Sequence, residues 1–171
     1  MTTINKIGRG FGKALLTRGM EILKSSVPLN PKEITSAKAR AIMKEYFPTA
    51  EYVFMDSKYK VVSADEWKIL DEDIREVTKK MWEAEFYDCD EKAYVHKYWT
   101  LRIFGIPQFA IVGDVYDLQG QFMFHHLFNG RIVDNEIYIF EPDGGLLEKA
   151  EKGQNFIKFG GRKYFPKTIE F

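Results

Sequence analysis

Residues 109–141 read FAIVGDVYDLQGQFMFHHLFNGRIVDNEIYIFE. Phe109 to Tyr116, Gln121 to Val133 and Glu136 to Phe140 are rich in β-branched and aromatic residues, which fit a pleated, half-buried surface. Gly120, Asn129-Gly130 and Asp134-Asn135 supply turn chemistry between or within these runs. The stretch predicts antiparallel strands joined by hairpins. Further on, Phe156 to Phe159 and Tyr164 to Phe171 read as closing strands around Gly160-Gly161.

The pattern upstream is helical. Asn30-Pro31-Lys32-Glu33 carries an N-cap, a proline at the first helical position and a capping-box glutamate, predicting a helix that stops before Pro48. Tyr52 to Met55 and Tyr59 to Val62 are short strand candidates. Ser63-Ala64-Asp65-Glu66 is a second capping box, opening a helical region that runs with breaks to about Phe86. Asp88 to Glu91 repeats the signature and starts a helix through about Phe104, ended by Gly105 and Pro107. Helices first and an antiparallel sheet second make an α+β fold. Residues 1–29 form a basic amphipathic lead-in bearing Lys6, Arg9, Lys13, Arg18 and Lys24, suited to packing on the core or touching a membrane or partner helix. Residues 30–171 are expected to form a single domain.

Composition narrows the function. The chain has 171 residues, enough for one well-buried core. Its 25 basic and 25 acidic residues cancel, so no global field draws it to nucleic acid or anionic lipid. A single cysteine excludes an intramolecular disulfide and a zinc site built on several thiolates. No run approaches the roughly 20 apolar residues of a transmembrane helix, and no signal-peptide pattern opens the chain. A reducing, soluble, cytoplasmic setting is the simplest expectation.

That cysteine, Cys89, falls at the first helical position if Asp88 is the N-cap. Unpaired N–H groups and the helix dipole there favour an anion and lower a thiol's pKa. The flanking carboxylates Asp88 and Asp90 oppose this unless they cap the helix or bind a cation. A thiolate nucleophile needs a base, and the base an orienting acceptor. Of the three histidines, His96 lies seven residues beyond Cys89, about 10 Å along a helix axis and too far for direct proton transfer. His125 and His126 are adjacent in a strand and point to opposite faces, so only one can serve the site. A two-residue turn at Asp134-Asn135 puts Phe128 opposite Glu141 and makes His126 its diagonal neighbour on the same face. A turn at Asn129-Gly130 would instead place His126 opposite Val133, far from Glu141. We place the turn at Asp134-Asn135.

Together these motifs resemble a known family. Phe86-Tyr87-Asp88-Cys89-Asp90 followed by Ala93 resembles the nucleophile motif of the papain-like domain in the fairy-ring mushroom agglutinin and its bacterial and phage relatives. His126-Leu127-Phe128-Asn129 is similar to that family's His-x-x-Asn strand, and Ile139-Phe140-Glu141-Pro142 to its apolar-Glu-Pro ending. Trp82, seven residues before Cys89, matches a tryptophan placed before the family's nucleophile. The segment from Val62 to Trp67 resembles the lead into the first long helix. The likeness spans roughly residues 52–145, with 37 residues from Cys89 to His126 and 15 more to Glu141.

The resemblance implies a papain-like fold with a Cys-His-Glu thiol protease site of Cys89, His126 and Glu141, calcium-dependent in the fungal protein, and a bacterial or phage origin. Papain-like enzymes generally take an oxyanion donor from an upstream glutamine. This chain has no glutamine before Gln108, so the Cys89 N–H and Trp82 Nε1–H are the expected donors. The substrate class is a peptide or isopeptide, and the chemistry itself requires no cofactor. Asp88 and Asp90 are candidate ligands for a regulatory hard cation. A second reading keeps the fold as a binding or structural protein without the chemistry. A third makes His126, Glu141 and Asp90 metal ligands, but zinc and iron sites want two histidines on one face, which adjacent His125 and His126 cannot provide.

Overall fold

The computed structural model describes residues 29–78, 89–141 and 146–171. Pro31 to Phe171 belong to one compact unit. Its elements are β1 (Lys32–Thr35), α1 (Ser36–Tyr46), β2 (Glu51–Val53), β3 (Lys58–Val61), α2 (Ala64–Thr78), α3 (Cys89–Trp99) with a π-helical turn Thr100–Phe104, β4 (Phe109–Tyr116), β5 (Phe122–Val133), β6 (Glu136–Glu141), β7 (Leu146–Lys149), β8 (Ile157–Phe159) and β9 (Arg162–Glu170). The chain is α+β with a β-rich C-terminal part.

The main sheet runs β2-β9-β4-β5-β6-β7, with β8 also paired to β9, while β1 and β3 form a separate ribbon. The expected antiparallel sheet is in fact mixed, because β2 pairs parallel to β9. This pairing brings Tyr52 opposite Ile169. The predicted β5–β6 hairpin turns at Asp134-Asn135, both with positive φ (50° and 65°), the twist that two-residue hairpins require.

The predicted helix start at Asn30-Pro31 is corrected. Lys32–Thr35 is a strand paired to β3, which buries Ile34, and the helix begins four residues later. Thr35 is the N-cap and its side chain accepts from the Lys38 N–H at 3.1 Å. Tertiary pairing with β3 overrides a local capping signal. At the second helix the signal holds: Ser63 N–H donates to Glu66 Oε2 at 2.7 Å and Glu66 N–H to Ser63 Oγ at 3.3 Å, a reciprocal capping box. The third helix is described from Cys89 and ends at Gly105, whose φ of 68° suits only a residue without Cβ strain. Asp88 lies outside the described residues. The strand β7 was not foreseen.

The two faces of the sheet carry different cover. One packs Phe109, Ile111, Phe128, Ile132, Ile137 and Ile139 against Ala39, Ile42, Met43 and Tyr46 of α1, a helical i, i+3, i+4, i+7 stripe. Each fully buried side chain of this size contributes about 1.5–3 kcal/mol. The close fit depends on Gly130, where a Cβ would come within 1.8 Å of the Phe109 ring. On the other face Ala93 of α3 packs on Ala110 and Leu127. There Arg131 of β5 is buried between the rings of Trp67 and Phe140, 4.1 and 4.2 Å from their centroids, and makes two hydrogen bonds to Asp71 of α2. Burial pulls the Arg131 guanidinium below its ordinary range, and the Asp71 carboxylate opposes that pull.

Candidate active site

Cys89 opens α3, with Asp90 and Glu91 in its first turn. Of Cys89 only the backbone is described, and Trp82 lies outside the described residues.

His126 sits on β5 opposite Gly113 of β4. At Gly113 a Cβ would come within 2.4 Å of the Phe165 carbonyl oxygen of β9, so the strands approach closely there, and the imidazole reaches the Tyr164 ring of β9, 5.7 Å between centroids. Its ring also lies 6.0 Å from Phe128. Nε2 of His126 and Oε2 of Glu141 are 2.6 Å apart, and both residues are mostly buried. The observed register pairs Asn129 with Phe140, so its continuation sets Phe128 opposite Glu141 and His126 diagonal to it. In such a low-dielectric setting a charge-assisted hydrogen bond is strong.

His125 points to the other face and also holds a carboxylate. Its Nδ1 is 2.8 Å from Asp114 Oδ1, while Lys167 Nζ holds Oδ2 at 2.6 Å. The hydrogen bond from Lys167 keeps the Asp114 carboxyl below its usual range; burial opposes this and His125 adds to it. Asp114 was missed in the sequence. Its signal is a charged residue inside the apolar run Phe109–Tyr116, paired through the β4–β5 hairpin with His125. The His125 side chain is 74% exposed, against 11% for His126.

The position of α3 bears on both couples. Asn129 Nδ2 donates to the Ala93 carbonyl at 3.0 Å, and Leu127 packs on Ala93. By strand alternation, His125, Leu127, Asn129 and Arg131 share the face that α3 covers, and His126 shares the opposite face with Phe128. Beyond Asn129, no described strand pairs with β5 on its β6 side. Glu141 itself is paired on its other side with Leu146 of β7.

His96 has a different place. It is fully buried, its Nδ1 is 2.8 Å from Gln108 Nε2, its Nε2 is 3.6 Å from Asp71 Oδ1, and its ring packs on Phe140. It joins the Asp71–Arg131 pair as a structural network linking α2, α3 and β5. A cleft of about 790 Å³ is lined by residues that include Asp114, Tyr116, Lys163, Phe165 and Lys167, and neither His125 nor His126 lines it. Asp90 is exposed. Calcium takes about six to eight oxygen ligands, and no three His, Cys, Asp or Glu side chains gather as a cation site among the described residues.

No protein-family model and no curated protein matches the sequence. Among solved structures, the fold is similar to that of a "PSL1a-E64 complex", with a TM-score of 0.59 and 17% sequence identity over 81% of this chain and 51% of that one. The chain thus spans about half the length of that structure. A likeness at this identity concerns the fold alone: an α+β chain whose sheet brings a histidine and a carboxylate together shares its architecture with a protein solved in complex with E64.

Proposed function

We propose that the chain is a papain-like thiol hydrolase acting on a peptide or isopeptide bond, with Cys89, His126 and Glu141 as its triad. The observation that carries this reading is the 2.6 Å contact between His126 Nε2 and Glu141 Oε2. It orients the imidazole and stabilises its cation; in this reading Nδ1 exchanges a proton with sulfur, which requires the Cys89 end of α3 to reach past the sheet edge to the His126 face. The Cys89 thiolate attacks the substrate carbonyl, and the tetrahedral oxyanion is held by the Cys89 N–H and Trp82 Nε1–H. Collapse expels the amine, which takes its proton from the His126 imidazolium, and leaves a thioester. Water, deprotonated by His126, then releases the acid and regenerates the thiol. The structural neighbour supports the reading, because E64 is an inhibitor of cysteine proteases.

Reaction with E64, followed by intact-mass and peptide analysis, tests the proposal. One adduct on Cys89 is expected, absent in Cys89→Ala, strongly slowed in His126→Ala and retained in His125→Ala. Calcium and a chelator are added in separate arms to test the cation dependence implied by the resemblance. An unmodified protein whose thiol alkylates at pH 6 no faster than a free-cysteine peptide would instead be a binding or structural protein without the chemistry.

A second assignment within the same reaction is favoured by two observations: α3 covers the face carrying His125, and the 790 Å³ cleft lies against Asp114. In that case His125→Ala and Asp114→Asn abolish labelling and His126→Ala preserves it.

A further inference from the structure

The turns of the β4–β5 and β8–β9 hairpins lie at the same end of the sheet, because Tyr116 pairs with both Phe122 and Lys163. Four apolar side chains are exposed there: Leu118 at 60%, Phe122 at 47%, Met123 at 41% and Phe124 at 37%. The register passes from Val115–Phe124 to Tyr116–Phe122, so Met123 is an extra residue in β5. This bulge places Phe122 on the Tyr116 face, 5.8 Å between ring centroids, and leaves Phe124 on the opposite face. The tip is therefore apolar on both faces and at its turn. Such a wedge suits insertion into an apolar medium better than packing against a flat protein surface.

Cations collar this wedge. Arg162 lies over the Phe124 ring at 5.5 Å, and Lys158 and Lys163 flank the Phe156 ring at 6.0 and 5.5 Å. Asp117, the acidic residue of the turn, has one oxygen accepting the Gln121 N–H at 2.8 Å. The balanced charge of the whole chain thus hides a local excess of positive charge around exposed apolar groups.

We propose that this double-hairpin tip docks on an anionic lipid bilayer, with Leu118, Phe122, Met123 and Phe124 entering the interface and Lys158, Arg162 and Lys163 meeting the headgroups. Leu118 and Met123 favour lipid over single-stranded nucleic acid, whose bases stack on aromatic faces. The inference is independent of the triad, since no tip residue belongs to it.

Sedimentation of the full chain with phosphatidylcholine vesicles, with and without phosphatidylserine, tests it. Binding is expected on the anionic vesicles, weakening as salt is raised. Arg162→Gln and Lys163→Gln should each lower affinity about fivefold, and the Leu118→Asp, Met123→Asp double variant should abolish binding. Leu118, Met123 and Arg162 are exposed and Lys163 is half-buried, and an unchanged thermal melting curve verifies the fold. Failure to sediment with anionic vesicles overturns the proposal. So does binding that survives the double variant, which would place the contact elsewhere, such as the basic residues 1–29. Retention of a single-stranded oligonucleotide through Phe122 and Phe124 without vesicle binding overturns it as well.

Discussion

His126 and Glu141, 15 residues apart in sequence, meet at 2.6 Å across the open end of a hairpin whose turn is Asp134-Asn135. Removing the carboxylate charge while keeping a hydrogen-bonding group isolates its electrostatic part. Glu141→Gln should leave the fold intact and lower the hydrolytic rate about 10²–10⁴-fold, the usual contribution of positioned acid–base groups. Because a carboxylate favours the imidazolium, the descending limb of the pH–rate profile should also move to lower pH. Rates measured from pH 5 to 9 check this; an unchanged profile would take Glu141 out of the mechanism.

The Asp71–Arg131 pair is buried, so removing one partner strands the other. Asp71→Asn should cost about 3–5 kcal/mol of stability, read as a lower urea midpoint. Replacing Arg131 and Asp71 together with apolar residues should cost far less, since no uncompensated charge remains. A single substitution that is neutral would show that the pair holds nothing together.

Asp114 supplies a pH-dependent contribution. Its carboxyl lies below the ordinary range in the folded chain, chiefly through Lys167. The associated stabilisation is full above the unfolded value of about 3.9 and disappears as pH falls through the folded one. Lys167→Met should therefore be less stable than the parent at pH 7, with the difference closing in strong acid. Urea titrations at both pH values measure it, and a pH-independent difference would place the effect of Lys167 elsewhere.

At Gly130, an added methyl group collides with the Phe109 ring. Gly130→Ala should cost about 1–3 kcal/mol from overpacking. In the Phe109→Leu background the same substitution should cost less, giving a coupling energy in a double-mutant cycle. Additive losses would mean that the two positions do not share space.

Local chemistry was legible in the sequence. The Ser63–Glu66 capping box, the β5–β6 turn, the helix end at Gly105 and the His126–Glu141 proximity each depend on residues close along the chain, where backbone geometry leaves few options. Sequence alternation also separated His125 from His126. The three-dimensional pairing decided the rest. Lys32–Thr35 became a strand because β3 offered hydrogen bonds and burial for Ile34. The parallel β2–β9 contact joins segments more than 100 residues apart, for which no local periodicity carries a register. Asp114 found His125 and Lys167, and Arg131 found Asp71, only after the strands and helices had stacked. The face on which α3 settled was likewise set by Ala93 against Leu127 and by Asn129 on the Ala93 carbonyl. The sequence by itself determined the caps, turns and strand alternation, because those are short-range steric and hydrogen-bonding preferences. The tertiary structure alone decided which charged groups were buried together and which histidine faces which helix, because burial is a property of the packed chain.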